Sequence, residues 1–194
     1  MDTDNEPERP RRADAERNYT RVLDAAFEVF TAQGIQAPIS EIARAAGVGA
    51  GTIYRHFPTK EDLFRAVVED RFGRVARHGE QLRDELPRGE AFEAFVRYLL
   101  VEGGGNRALA DAIIGSQFDV LEAESSFLDV LEALLRDSQE TGRVRRDVGV
   151  MEIKALLGAC YAVHGYDEDL LEPVLRVLLD GLSSVHDPDR APTA

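Results

Sequence analysis

The chain has 194 residues, of which 44% are hydrophobic and 30% charged, with a formal net charge of −13 and a single cysteine. That composition excludes a disordered chain and a disulfide-stapled secreted fold, and the length suffices for at least one full hydrophobic core. No stretch approaches the ~20 apolar residues that a bilayer span requires, and residues 1 to 12 lack the apolar run of a signal peptide, so the expected location is the reducing cytoplasm, without a membrane partner.

The charge is unevenly spread. Residues 1 to 78 carry 12 basic and 13 acidic side chains, residues 79 to 194 carry 11 and 23, and residues 9 to 60 have a net charge of +3. Affinity for DNA is dominated by phosphate neutralisation, so only the amino-terminal third is electrostatically suited to a polyanion; the rest would repel one.

In chain order, the first dozen residues hold two prolines and no apolar side chain after Met1. They read as a solvated tail, with Arg9, Arg11 and Arg12 on an uncontacted arm. Helical periodicity sets in at Asp14 and runs to about Ala32, placing Val22, Leu23, Ala26, Phe27 and Phe30 on one stripe until Gly34 ends it. A second, short helix is expected from Pro38 to Ala46, with Pro38 at the first helical position, where its missing amide has no partner to lose. Ile39, Ile42 and Ala43 face inward. Past Gly47, a third helix starts at Gly49 or Ala50 and runs to His56, burying Ile53 and Phe57. Thr59 can cap a fourth helix whose first turn carries Glu61 and Asp62; it presents Leu63, Phe64, Val67 and Val68 and continues to about Leu86, before Pro87.

The remainder alternates helices and breakers. Glu90 to Glu102 carries Phe92, Phe95, Val96 and Leu99, and Gly103, Gly104 and Gly105 follow. Asn106 to Ile114, Glu122 to Gln139, Val150 to Val163 and Asp167 to Leu182 are the later helices, with Gly165 between the last two and Asp167 as a cap. The expectation is an all-α chain of about nine helices.

The informative chemistry lies between Ile39 and Phe64. Two helices joined by a tight turn at Gly47 match helix-turn-helix packing, in which Ala43 and Ala46 let the crossing helix approach and Val48 plugs the turn. The third helix then offers Gly49, Ala50 and Gly51 where it would enter a groove, Gly51 permitting close backbone approach. Thr52 brings a hydroxyl, and Tyr54, Arg55 and His56 can reach DNA. Arginine suits bidentate reading of guanine O6 and N7, which makes Arg55 the candidate base reader.

Ile42-Ala43, Ala46-Gly47-Val48-Gly49, Gly51-Thr52, Tyr54, His56-Phe57 and Lys60 together form a pattern that resembles the DNA-binding domain of TetR-family transcriptional regulators. The detailed likeness covers about residues 15 to 68. It implies that Thr52, Tyr54, His56 and Lys60 hold the DNA backbone while the third helix reads bases. Gly49 stands where a serine often caps that helix, and Pro38 stands where a threonine often touches phosphate. The resemblance also implies a helix-turn-helix domain over residues 13 to 60, a connecting helix over 60 to 86 and an all-helical ligand-binding and dimerisation domain over 80 to 186. Homodimers would form through the last two helices. The expected partners are double-stranded operator DNA and a small, mainly apolar effector.

Bottom-up support for the second domain comes from its apolar perimeter. Val150, Ile153, Leu156, Leu157 and Cys160 share a face in one helix, whereas Ala155, Ala159 and Ala162 would let a second helix approach. The final helix spreads Leu170, Leu171, Val174, Leu175, Leu178 and Leu179 over more than a narrow stripe. Candidate pocket residues are Phe95, Tyr98, Leu99, Ile113, Phe118, Phe127, Leu131, Cys160, Tyr161 and His164. Cys160 and His164 lie four apart but lack the exposed, electropositive setting of a reactive thiol, and the run Asp167, Glu168, Asp169 lacks the glycine and spacing of a calcium loop. With no zinc or phosphate-binding motif, neither an enzyme nor a metal or cofactor is expected. The alternative is a helical interaction module that has kept the fold without sequence-specific DNA binding, a reading opposed by the joint presence of Thr52, Tyr54, Arg55, His56 and Lys60.

Overall fold

A computed structural model of the chain describes residues 8–102, 121–164 and 168–184. Among them are eight α-helices: α1 (Glu8–Gln33), α2 (Ile39–Ala46), α3 (Ala50–His56), α4 (Lys60–Glu85), α5 (Ala91–Glu102), α6 (Leu121–Glu140), α7 (Val150–His164) and α8 (Leu171–Leu182), with a 3-10 turn at Glu168–Leu170 before the last. The fold is all-α. The count among the described residues is eight rather than nine, and the expected helix from Asn106 to Ile114 lies outside them, as do the glycine run Gly103 to Gly105, Gly165 and the cap Asp167. The residues fall into two compact units, one up to Val67 and one from Val68 onward.

In the first unit, α1 begins at Glu8 rather than Asp14, so residues 8 to 12 belong to the helix and not to an irregular tail. Pro10 is the reason the boundary is misread: it sits in the first turn, where a missing amide costs no intrahelical bond. The α1 stripe of Val22, Leu23, Ala26, Phe27 and Phe30 is buried as expected. It closes on Ile42 and Ala43 of α2, Ile53 of α3 and Leu63, Phe64 and Val67 of α4, all buried. Phe30 and Phe64 meet edge to face at 5.6 Å and 65°, the arrangement that ring quadrupoles favour. Pro38 is one residue earlier than expected: it occupies the cap of α2 at φ −72°, ψ 141°, not the first helical position.

In the second unit, α5 is central. Phe92, Phe95, Val96, Leu99 and Leu100 are all buried, and the helix packs against α6, α7 and α8. Gly79 lets α4 approach this core closely, because a methyl group there would stand 2.6 Å from Val130 Cγ1 and 3.0 Å from the Phe95 ring. At one end, Asp137 of α6 is buried and ties three segments together. It accepts from Arg83 Nε of α4 at 2.7 Å and, through its other oxygen, from Arg88 Nε at 3.1 Å and Nη2 at 3.0 Å. Buried Ser138 donates to the Gly89 carbonyl at 3.0 Å. The loop after α6 is pinned to the end of α8 by an isolated antiparallel bridge between Val144 and Ser183. There Arg145 N donates to Leu182 O at 2.9 Å and Ser184 N to Arg143 O at 3.0 Å.

The faces of α7 and α8 depart from expectation in one respect. Ile153, Leu157 and Cys160 form the inward stripe of α7, but Leu156 is exposed together with Met151, Ala155 and Ala159. An apolar, alanine-rich helix has no sharp polar boundary, so periodicity alone cannot assign Leu156 to a face. On α8, Leu175 and Leu182 are buried, Val174, Leu178 and Leu179 half-buried, and Val177 is 73% exposed. No helix of the described residues is long and apolar enough to cross a membrane.

Candidate nucleic-acid interface

The turn between α2 and α3 is closed by backbone bonds that its sequence dictates. Gly47 adopts φ +66°, a left-handed conformation that glycine takes without the steric cost of a Cβ. Its amide donates to Arg44 O at 3.3 Å, and the next amide, of Val48, donates to Ala43 O at 3.0 Å; this is the Schellman closure of a helix end. Gly49 then caps the start of α3, its carbonyl accepting from Thr52 N at 2.9 Å. Gly49 supplies no side-chain cap, as expected from the missing serine. Its backbone, at φ −75° and ψ 146°, would accept any residue.

α3 turns Ile53 inward, with Phe57 just beyond it also buried. Gly49, Ala50, Gly51, Tyr54, Arg55 and His56 are exposed, and Thr52 is half-buried. Tyr54 is 51% exposed, so its hydroxyl and much of its ring are open to solvent. The helix thus shows small groups near its start and a phenol, a guanidinium and an imidazole near its end. That set offers hydrogen-bond donors for phosphates and a planar fork for a base edge.

α4 is anchored beside α3 by a reciprocal capping box. Thr59 Oγ1 accepts from Asp62 N at 3.0 Å, while the Asp62 carboxylate accepts from Thr59 N at 3.1 Å and from Thr59 Oγ1 at 2.7 Å. The hydrogen bond from the Thr59 hydroxyl holds the Asp62 carboxyl below its ordinary pKa. Lys60, expected at the DNA backbone, is half-buried and donates from Nζ to Gln36 O in the α1–α2 turn at 3.2 Å. An ammonium has three donors, so this bond leaves capacity for a phosphate.

One aromatic at this surface is missing from the sequence reading. Tyr19 of α1 lies with its ring 6.1 Å from His56 and 5.4 Å from Phe57. Its spacing was a usable signal, since it precedes Val22 by three and Leu23 by four and so lies in line with the stripe of α1, at its exposed end.

Of the candidate pocket residues, Phe95, Leu99, Phe127, Leu131 and Cys160 are buried in the second unit and Tyr98 is half-buried. Phe95 stacks on Tyr98 at 6.4 Å and 15° and lies 6.3 Å from Phe127. Burial pushes the Cys160 thiol pKa up, opposite to the activation of a nucleophile. Ile113 and Phe118 lie outside the described residues, as do the side chains of Tyr161 and His164. Two aromatic partners escaped the sequence reading because they belong to α4: Phe72, 5.6 Å from Phe127, and His78, whose ring lies 3.9 Å from that of Tyr98.

Comparison with known proteins bears on both units. Residues 22–67 match the family model for bacterial regulatory proteins of the tetR family, and residues 87–184 match the model described as the C-terminal domain of SbtR-like transcriptional regulators. A TetR transcription regulatory protein from Mycobacterium vanbaalenii superposes with a TM-score of 0.70 at 44% identity, over 89% of this chain and 98% of that one. A TetR transcriptional regulator from Streptomyces coelicolor does so with a TM-score of 0.69 at 30% identity, over 84% of this chain and 97% of that one. The fatty acid metabolism regulator protein of Bacillus subtilis is 26% identical over 142 residues, 68% of this chain and 73% of that protein.

Proposed function

This chain belongs to the TetR family of transcriptional regulators, and we propose that it is a ligand-responsive repressor that binds an inverted-repeat operator as a homodimer. The observation that carries this reading is α3: a helix locked by a Schellman turn on one side and a capping box on the other, with Tyr54, Arg55 and His56 all exposed. In this reading Arg55 reads a base edge, and Thr52, Tyr54, His56 and Lys60 position the phosphates.

Dimerisation rests on the apolar surface that α7 and α8 leave exposed. Met151 is 57% and Val177 73% exposed, with Ala155, Leu156 and Ala159 also at the surface. Covering such a surface with its own symmetry mate is the commonest route to a closed oligomer. Two copies of α3 must then meet successive major grooves, about 34 to 36 Å apart or a multiple of that.

The effector is a small, mainly apolar molecule taken up by the second unit. Its aromatic and leucine-rich interior supports this, and kinship with a protein named as a fatty acid metabolism regulator makes fatty-acid-related compounds the first to test. Such a ligand releases DNA only if it binds more tightly to the arrangement that does not fit the operator. α4, whose residues belong to both units, is the connecting element.

Selection from a random duplex library with the purified protein tests the reading. Enrichment of a motif with dyad symmetry is the expected outcome. Failure of a folded, dimeric protein to enrich any motif would favour the interaction module, and an enriched motif without dyad symmetry would refute the two-fold geometry.

A further inference from the structure

We propose that Tyr19 is a positioning residue of the nucleic-acid interface, its ring holding the His56 side chain in place for a phosphate; this rests on the reading of α3 as the DNA-binding helix. His56 ends α3 with its side chain exposed. A histidine with no neighbour at such a place samples its rotamers freely and loses that freedom when it closes on a ligand. Here it is not without a neighbour. The Tyr19 ring meets it edge on, at 6.1 Å and 74°, within the range where a T-shaped aromatic pair is favourable.

Tyr19 is itself held in place. Its ring tilts against Phe57 at 5.4 Å and 34°, and Phe57, the residue after His56, is buried in the core. The core fixes Phe57, Phe57 orients Tyr19, and Tyr19 confines His56. Tyr19 is 39% exposed, so its ring stands at the surface beside the exposed His56. Restricting His56 before binding lowers the ordering cost of the complex, so Tyr19 strengthens affinity without touching the duplex.

A double-mutant cycle on the selected duplex, with Tyr19→Phe as control, tests the proposal. Tyr19→Leu keeps apolar bulk and removes the ring; it should weaken binding about two- to tenfold, while Tyr19→Phe stays within about twofold of the parent. In the His56→Ala background the Tyr19→Leu loss should vanish, since no imidazole remains to be positioned. A fold defect alone would persist in that background, so persistence of the loss overturns the proposal. So does an unchanged affinity of Tyr19→Leu in the parent, or a Tyr19→Phe loss as large as that of Tyr19→Leu, which would mean that the hydroxyl itself touches DNA. If Tyr19→Leu does not fold, Tyr19→Met takes its place in the cycle with the same expected outcomes. A parent protein that enriches no duplex would overturn the reading of α3 itself, and the proposal with it.

Discussion

Gly51 is the residue at which stability and binding pull apart most clearly. Nothing lies within 4 Å of the methyl group that alanine would add there, so Gly51→Ala should raise the stability of the free protein by up to ~1 kcal/mol through helix propensity. The same methyl group would obstruct the close backbone approach to DNA proposed for this position, and operator affinity should fall about tenfold or more. Thermal melts and binding titrations on one preparation check both signs. Arg55 and Lys60 separate reading from anchoring. Arg55→Ala should cost roughly 1 to 3 kcal/mol on the preferred operator and relax its sequence preference, whereas Lys60→Ala should weaken all sequences alike and lower the salt slope by about 1. Salt-series titrations on operator and scrambled duplexes distinguish the two. Most of these residues were legible in the sequence because the turn chemistry around Gly47 and Thr59 fixes what α3 exposes. The place of Tyr19 on the α1 stripe was also legible from its spacing, but its contact with His56, 37 positions away, was not, since no local periodicity encodes it.

At the scale of the element, Asp137 is the clearest case of one side chain joining several segments. A carboxylate in the last turn of α6 opposes the helix dipole, and the two arginines from the end of α4 and the turn after it reverse that penalty. The hydrogen bond from Arg83, joined by those from Arg88, lowers the Asp137 pKa from its ordinary 3.8. A carboxyl whose pKa falls on folding adds stability that is fully present above about 3.8 and is lost as pH drops from there through the folded value. Asp137→Asn should therefore lower stability by about 1 to 3 kcal/mol at neutral pH, and the gap to the parent should begin to narrow only below about pH 3.8 and go on narrowing as pH falls through the folded value. Denaturant titrations at pH 7 and pH 3.5 measure it. Helix ends marked by strong punctuation, such as Gly34, Gly47 and Pro87, were readable in advance. The start of α1 was misread because Pro10 looks like a breaker although a first turn tolerates it. Leu156 was assigned to the wrong face because an apolar helix rich in alanine carries little directional signal.

At the scale of the whole molecule, the acidic second unit and the exposed apolar surface of α7 and α8 bear on assembly and specificity. Light scattering should return twice the 21.5 kDa chain mass, and Val177→Glu, a charge placed on a side chain now 73% exposed, should yield a folded monomer with weakened operator binding. All-helical architecture was evident from periodicity and breakers, and so was the wide apolar perimeter of the last two helices on which the proposed pairing rests, whereas the exposure of Leu156 and Val177 was not. The net charge of −13 also sets an expectation for specificity: unassisted electrostatic attraction to DNA is weak, so affinity must come from the fit of α3 to its own site. Titration of the purified protein against its selected duplex and a scrambled duplex of equal length, at one physiological salt concentration, measures that fit directly. The selected duplex should bind at least about a thousandfold more tightly; equal affinity for the two duplexes would overturn sequence-specific binding by α3.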